Sequence, residues 1–476
     1  MTTKPLLPRE PDRAALPPAA ASPAAPPPRR RAARLTEGPV VGHLARMTAP
    51  MLGGIAATMA FNLVDTYFVG RLGAVPLAAI GFSFPVAMVL VSVAIGLGAG
   101  TSSVLARAIG GEDERTIRRL ATDSLVLSTL VSLAFSALGV LTIDPLFRAL
   151  GASEEVLPRI REFMTIWYAG LVFLILPMVG TSIIRATGDT KAPGLIMIAG
   201  SVINLALDPI LIFGLLGSPR LELRGAAIAT VTARALTLVA TLWVLARCER
   251  ILTAERPPFA ELARSWRRIL HVGAPAAATN MIIPMALTLI TPLVAAFGQE
   301  IVAGYGAASR VESMALILFY ALSSIIGPFV GQNAGARRWD RVKEAHRKIA
   351  LFSIAFGAAL AVLLALFRHP IAGLFSDDPR VVEAAARYLA ILPWSYGAYG
   401  IVMIVNASFN GLGQPFKSVA ISVLRMIVLF LPLAWIGSRL LGYPGVFAGA
   451  AIANVAAGAF AWWWCEHTGR AQRQPA

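Results

Sequence analysis

A carboxylate lies deep inside an apolar segment near the start of the chain. Asp65 is part of an apolar run from about Met47 to Val69, and Asn62 lies three residues earlier on the same helical face. Placing an ionised carboxylate inside a bilayer costs about 2.5–3.5 kcal/mol on insertion scales. A chain tolerates this when the group is paired, reversibly protonated or bound to a cation. Asp65 is therefore a candidate coupling residue of a cation-driven transporter.

A second polar cluster lies in the stretch NLALDPILIFG. Asn204 and Asp208 are four residues apart and share a helical face, and Pro209 frees a backbone carbonyl one turn earlier. A carboxylate, an amide and a carbonyl are suitable oxygen ligands for Na⁺, and the same groups could form a hydrogen-bonded site for H⁺. The alternative is that these residues only join neighbouring helices, a contribution of about 0.6 kcal/mol each.

The composition predicts an all-α polytopic membrane protein. Of 476 residues, 57% are hydrophobic and only 14% are charged, whereas a soluble domain has about 25% charged residues. The net charge of +16 could indicate nucleic-acid binding, but the basic residues fall between apolar segments, as the positive-inside rule describes. We therefore expect the lipid bilayer, and no nucleic acid, as the partner of these charges.

Motifs of enzymes are absent from the sequence. There is no HExxH, GxSxG or P-loop pattern, and the five histidines form no ligand pair. We expect no enzymatic activity and no cofactor, and without a nucleotide site the driving force would be a gradient of H⁺ or Na⁺.

Twelve apolar segments follow an N-terminal tail rich in Pro, Ala and Arg. The tail, residues 1–38, lacks the apolar core of a signal peptide and is predicted to be disordered. The basic loops place both termini in the cytoplasm, and we expect the cytoplasmic (inner) membrane of a bacterium. The segments are 46–69, 75–105, 119–145, 160–186, 192–216, 224–247, 271–297, 303–332, 347–374, 383–411, 416–439 and 443–465.

The sequence repeats itself at an offset of 224 to 225 residues. GAAIAT at 225–230 recurs as GAAIAN at 449–454, and three further matches keep the same order along the chain. Two pseudo-symmetric six-helix bundles are predicted, related by an axis along the membrane normal. Neither Asp65 nor Asp208 has an acidic equivalent in the second half, which favours a function confined to the first. The predicted units are 39–247, a linker 248–270, 271–465 and a cytoplasmic tail 466–476.

Other polar and aromatic side chains within the segments are weaker candidates. Each arginine needs a carboxylate, carbonyls or water, since arginine keeps its proton, and Arg234 could pair with one of the aspartates. Pro50 could be a hinge of the first segment or a proline of its first turn. Candidates to line a cavity are Asn62, Arg234, Arg310, Glu312, Tyr168 and Trp394, and Arg425 lies in segment 11.

Five motifs resemble one family of transporters. They are VDTYFVGRLG, IIRATGDTKAP, NLALDPILIFG, RGAAIAT and GPFVGQNAGA, and together they are similar to the multidrug and toxic compound extrusion (MATE) family, most of all to its DinF-like branch. The resemblance implies two six-helix bundles around a central cavity. It also implies export of cationic or amphipathic compounds in exchange for H⁺ or Na⁺.

The resemblance assigns roles to five positions. It implies that Asp65, Asp208, Asn204 and Thr230 couple transport to the cation, with the first three as Na⁺ ligands if sodium is the ion, and that Pro50 is linked to bending of the first helix. We expect a monomer that transports small molecules. The alternatives are a flippase for lipid-linked sugars of the same fold, which would be expected to have an arginine-rich cavity, and a non-transporting receptor or scaffold.

Overall fold

The computed structural model describes residues 34–255 and 258–471, and these residues fold almost entirely into helices. Most helices follow apolar runs of the sequence. The helices are α1 (Val40–Gly70), α2 (Ala74–Gly111), α3 (Glu114–Ala149), α4 (Leu157–Ala169), α5 (Leu171–Ala186), α6 (Lys191–Phe213), α7 (Glu222–Trp243), α8 (Phe259–Ala295), α9 (Gln299–Ala315), α10 (Ile317–Gly335), α11 (Trp339–Leu366), α12 (Arg368–Gly373), α13 (Pro379–Ile391), α14 (Tyr396–Gly411), α15 (Pro415–Val423), α16 (Leu431–Leu441) and α17 (Tyr443–Ala471).

Twelve helical segments correspond to the twelve predicted ones. Within the described ranges, ten helices are long and apolar enough to cross a membrane, and the bent pair α4–α5 makes an eleventh. Helix α8 contains the seventh predicted segment and completes the set. Segments 8, 10 and 11 are interrupted: α9 meets α10 at Leu316, a short 3₁₀ turn joins α13 to α14, and a π-helix, Leu424–Phe430, joins α15 to α16.

The helices extend further than the apolar runs predict. Helix α2 has 38 residues, which corresponds to about 57 Å at 1.5 Å per residue, far more than the roughly 30 Å of a hydrocarbon core. Helix α8 begins at Phe259, inside the predicted linker 248–270, and α17 continues to Ala471, inside the predicted C-terminal tail. The linker and the tail stay predictions, and the structure adds that part of each is helical.

The predicted disorder of residues 1–38 is wrong for the last five of them, while residues 1–33 lie outside the described ranges. Leu35 is 2% exposed, and its backbone N–H donates to Oε1 of Gln332 at 3.1 Å. The side-chain amide of Gln332 donates in turn to the carbonyl of Ala186 at 2.7 Å. Residues 34–38, called here the N-terminal segment, therefore contact α10 of the second bundle, and Gln332 links them to α5 of the first.

The two bundles have separate cores that meet at one end of the molecule. One buried cluster is made almost entirely by residues of α2 to α7, and a second by residues of α8 to α17. A third cluster joins the first half of α1 to α10 and α11 across the bundles. Backbones approach closely here: a Cβ on Gly100 would lie 2.3 Å from the carbonyl oxygen of Ile269, and one on Gly110 would lie 2.2 Å from that of Gln332. We call this end the closed side.

Contacts between the bundles become sparse toward the other end of α1. The third cluster uses α1 residues only as far as Ile55. Beyond this point Asn62, Leu63 and Tyr67 are exposed, as is Phe84 on α2. The cross-bundle core therefore includes only the first half of α1, and the second half of this helix has several exposed side chains.

Candidate cation-coupling site

Close packing of α1 against α6 sets the position of the two aspartates. Gly194 of α6 lies against Pro50 of α1, where a Cβ would be 2.5 Å from the proline carbonyl oxygen. Only glycine permits this approach. Further along the same helix pair, the carboxyl groups of Asp65 and Asp208 are neighbours. The structure therefore brings together the two acids that the sequence placed 143 residues apart.

The pair spans the boundary between the bundle interior and the exposed face of α1. Asp208 is 0% exposed, Asp65 is half-buried and Asn62 is exposed. The carboxyl group of Asp65 is therefore the more accessible of the two, and Asp208 is enclosed by its neighbours.

The remaining residues of the predicted cluster surround Asp208. The side-chain amide of Asn204 donates to Oγ1 of Thr230 at 3.3 Å, which orients the amide oxygen away from the hydroxyl. Among the described residues, neither that oxygen nor either carboxylate oxygen of Asp208 has a hydrogen-bond donor, although all three atoms are buried. Buried acceptors are normally satisfied, so three unsatisfied oxygens on one helix face fit a cation or a proton that enters the site.

Both prolines of the site lie inside continuous helices. Pro209 is in the last turn and a half of α6, so the carbonyl of Leu205 has no intrahelical N–H partner at that position. Pro50 is the eleventh residue of α1, so the interpretation as a first-turn proline is wrong. At Pro50 the missing N–H weakens the helix at its contact with α6, and a hinge there stays a prediction.

Arg234 does not neutralise the acids. In the part of the chain that the structure describes, no carboxylate oxygen of Asp65 or Asp208 is within 4.0 Å of its guanidinium group, so the pairing considered from the sequence is absent. Arg234 is half-buried on α7, one turn after Thr230. Arg234 therefore forms no ion pair with Asp65 or Asp208.

The acid of the second bundle, Glu312, lies in a separate cluster. It is half-buried on α9 and accepts a short hydrogen bond from the hydroxyl of Tyr388, while Arg310 is exposed. Arg425 is close enough for an electrostatic interaction with Glu312, but it donates to Oδ1 of Asn454 at 3.1 Å. Tyr388 and Asn454 were not recognised from the sequence, because nothing in their spacing links them to Glu312 or Arg425.

The two aromatic candidates differ from one another. Tyr168 is 2% exposed, and its ring lies against Gly139 of α3, where a Cβ would be 2.2 Å away. It packs α4 on α3 and does not line a cavity, so this prediction is corrected. Trp394 is 59% exposed at the junction of α13 and α14, with its neighbours Pro393 and Ser395 buried.

Comparisons with known proteins identify the fold. The family model MatE matches residues 50–210 and 226–436, more than three quarters of the chain. The chain belongs to the MATE family. A crystal structure of the Vibrio cholerae MATE transporter VcmN superimposes with a TM-score of 0.87 at 31% identity, and it covers 91% of this chain and 98% of that one. An outward-facing structure of a multidrug resistance MATE family transporter also gives 0.87, at 27% identity over 93% of this chain.

The names of related proteins indicate different transported molecules. A protein of Shewanella oneidensis named FAD transporter is 40% identical over 89% of this chain and 94% of its own length. A probable multidrug resistance protein, YoeA of Bacillus subtilis, is 28% identical over 81% of this chain. The predictions of a MATE fold, a multi-pass membrane transporter and a non-enzyme are thereby confirmed. The DinF-like branch and the individual site residues stay predictions.

Proposed function

We propose that this MATE-family transporter exports amphipathic organic molecules in exchange for H⁺ or Na⁺, with Asp65 and Asp208 as the coupling pair. The observation that carries the proposal is the adjacency of two carboxyl groups, one half-buried and one fully buried, that form no ion pair with a basic side chain of the described residues. Two carboxylates this close repel each other when both are ionised. A proton or Na⁺ between them removes that repulsion, so occupancy changes the interaction of α1 with α6.

The same pair supplies a link from ion binding to conformation. Helix α1 contacts α6 through Pro50 and Gly194 and contacts the second bundle through α10. Binding of a cation at Asp65 therefore acts on the second half of α1. The first half of the same helix is part of the interface between the bundles. Alternating access would require the closed side to open while the bundles come together at the opposite end.

The driving force is sufficient for export. One positive charge that moves inward releases about 2.3 kcal/mol per 100 mV, whereas a tenfold gradient of a neutral cargo costs about 1.4 kcal/mol. One ion therefore sustains a gradient of some tens-fold. For a monovalent cationic cargo the electrical terms cancel, and the concentration gradient of the ion alone drives export.

The test is efflux from proteoliposomes in which the Na⁺ gradient and the pH gradient are imposed separately. We expect Asp65→Asn and Asp208→Asn each to abolish gradient-driven export of a fluorescent cationic dye. The control Asp189→Asn, half-buried at the turn before α6, keeps an oxygen that accepts from the backbone N–H of Lys191 and should leave export unchanged. Export by both coupling variants at the wild-type rate would refute the proposal. The gradient that supports wild-type efflux identifies the ion.

A flavin dinucleotide is a second candidate cargo. The Shewanella oneidensis relative is named FAD transporter, and its coverage of this chain is nearly complete. FAD is a flat amphipathic molecule with a pyrophosphate group, so it needs cationic partners in the protein. In the described residues, Arg234 and Arg425 have no carboxylate oxygen within 4.0 Å of their guanidinium groups, which favours an anionic cargo over a purely cationic one.

A further inference from the structure

The internal repeat places a buried arginine of the second bundle near the equivalent of the cation site of the first. The 224-residue offset carries Thr230 to Asn454, and it carries Asn204 to position 428, one helical turn after Arg425. In the first bundle Asn204 donates to Thr230, and in the second bundle Arg425 donates to Asn454. The same pair of helices in each repeat is therefore joined by a polar contact, which is neutral in the first bundle and carries a positive charge in the second.

A break in helical geometry holds Arg425 in place. It lies in the π-helix Leu424–Phe430, a type of distortion that is frequent at functional sites. Its guanidinium is 4.4 Å from the centre of the Tyr399 ring, and its side chain is only 9% exposed. Asn454 is fixed in turn, because its amide donates to Oγ of Ser395 at 3.0 Å.

The charge of Arg425 is not matched by a contact within the described residues. Its Nε atom is buried and has no acceptor, and the nearby Glu312 is beyond 4.0 Å and accepts from Tyr388. Arginine cannot lose its proton to relieve this, and a buried charge is costly unless it is paired. A guanidinium that still has an N–H without an acceptor, and that is held in place by the amide oxygen of Asn454, is suited to an incoming oxyanion.

We propose that Arg425, positioned by Asn454, forms a binding site for an anionic group, a phosphate or a carboxylate, of the transported molecule. The proposal rests on the proposed function only in assigning the site to the cargo. It adds that the second bundle binds the anionic group of the cargo, while the first bundle binds the coupling cation. The ring of Tyr399, half-buried beside the guanidinium, would lie next to the bound group.

The test compares two flavins that differ in their phosphates. Binding of FAD and of riboflavin to the purified full chain in nanodiscs is measured by flavin fluorescence polarisation, with inorganic pyrophosphate as a competitor. We expect wild-type protein to bind FAD at least about tenfold more tightly than riboflavin, and pyrophosphate to displace FAD only. We expect Arg425→Gln to weaken FAD binding about tenfold or more and riboflavin binding by less than about twofold, with partial recovery in Arg425→Lys.

A matched control lies on the same segment. Arg439 is also close to an aromatic ring, 5.8 Å from the centre of Trp435, but it is exposed at the end of α16. We expect Arg439→Gln to bind both flavins as the wild type does. Equal affinity of wild-type protein for both flavins, absence of FAD and pyrophosphate binding, or an equal loss of both flavins in Arg425→Gln would overturn the proposal.

A second variant keeps the packing and removes the site. Asn454→Asp has nearly the same shape and places a carboxylate on the guanidinium of Arg425, so the protein should fold and the anion site should be filled from within. We expect loss of the preference for FAD, and retention of that preference would contradict the proposal. These binding measurements need no ion gradient, so they are independent of whether Asp65→Asn and Asp208→Asn abolish coupled efflux.

Discussion

Arg341 is the strongest single tie between the N-terminal segment and the second bundle. Its side chain, 7% exposed, donates to Oδ1 of Asn333 at 3.0 Å and to the carbonyls of Gly38, Leu35 and Glu37 at 2.6, 3.1 and 3.2 Å. These bonds fix the segment across the end where the bundles meet. Separation of the bundles on the closed side would have to break them or the parallel link through Gln332.

The magnitude of this tie follows from the contacts. A hydrogen bond to a charged group contributes about 1.5–3 kcal/mol net, and bonds that share one guanidinium do not add fully. If the four bonds together contribute as much as two independent ones, they stabilise the closed arrangement by about 3 kcal/mol. If they are lost when the closed side opens, Arg341→Ala shifts the equilibrium toward the open form about 150-fold.

The assay reports accessibility of the interface. Ser103 is buried on α2 and donates to the backbone of α14 across the bundles, so Ser103→Cys, in a background where Cys248 is replaced by Ser, reacts with a maleimide only when the bundles part. We expect Arg341→Ala to raise the labelling rate by about two orders of magnitude. The control is Arg338→Ala, whose exposed guanidinium pairs with Asp340 on the surface.

A labelling rate within about twofold of the parent would refute the reasoning, because a tie of this size must change the open population if opening breaks it. The same result in Arg338→Ala as in Arg341→Ala would also refute it. In that case the effect would come from reduced positive charge and not from the hydrogen bonds.

Two further predictions concern packing and capping. Gly100→Val brings a side chain onto the carbonyl of Ile269, so we expect a lower Tm and loss of efflux, whereas Gly81→Ala, with open space around it, should have little effect. Asp113 caps α3 by accepting from the backbone N–H of Thr116 at 2.8 Å, which lowers the pKa of its carboxyl, and Asp113→Ala should cost about 1 kcal/mol. Since the folded pKa is the lower one, this stabilisation is present above the ordinary pKa of the carboxyl group and is lost as the pH falls through the folded value, so the difference in Tm should shrink as the pH is lowered below the ordinary pKa.

Segment number, repeat and family could be predicted from the sequence because they depend on long apolar runs and ordered motifs. The ends of the helices could not be predicted, since the segment ELARSWRRIL in the first turns of α8 is polar yet helical. Such residues form helix once a neighbouring core supports them: Trp266 of this stretch donates to the carbonyl of Asp123 on α3. Apolar periodicity does not report that support.

The family resemblance assigned both acids to one cation site, but the spacing of the residues did not show how α1 and α6 bring them together. Their register depends on the contact of Gly194 with Pro50, a pair of small and rigid residues that no spacing rule connects. The N-terminal segment was missed for a related reason. Its composition resembles disordered tails, and only the distant partners Gln332 and Arg341 order it.

The assignment of the cation to one bundle and of an anionic group to the other would constrain how coupling works. Ligands that bind different residues do not compete directly, so each can influence the other only by favouring one arrangement of the bundles. The contacts that report this arrangement are those of the closed side, above all Gly100 with Ile269 and Arg341 with residues 35–38. A variant that weakens them should therefore reduce the dependence of export on the ion gradient while both binding sites stay intact.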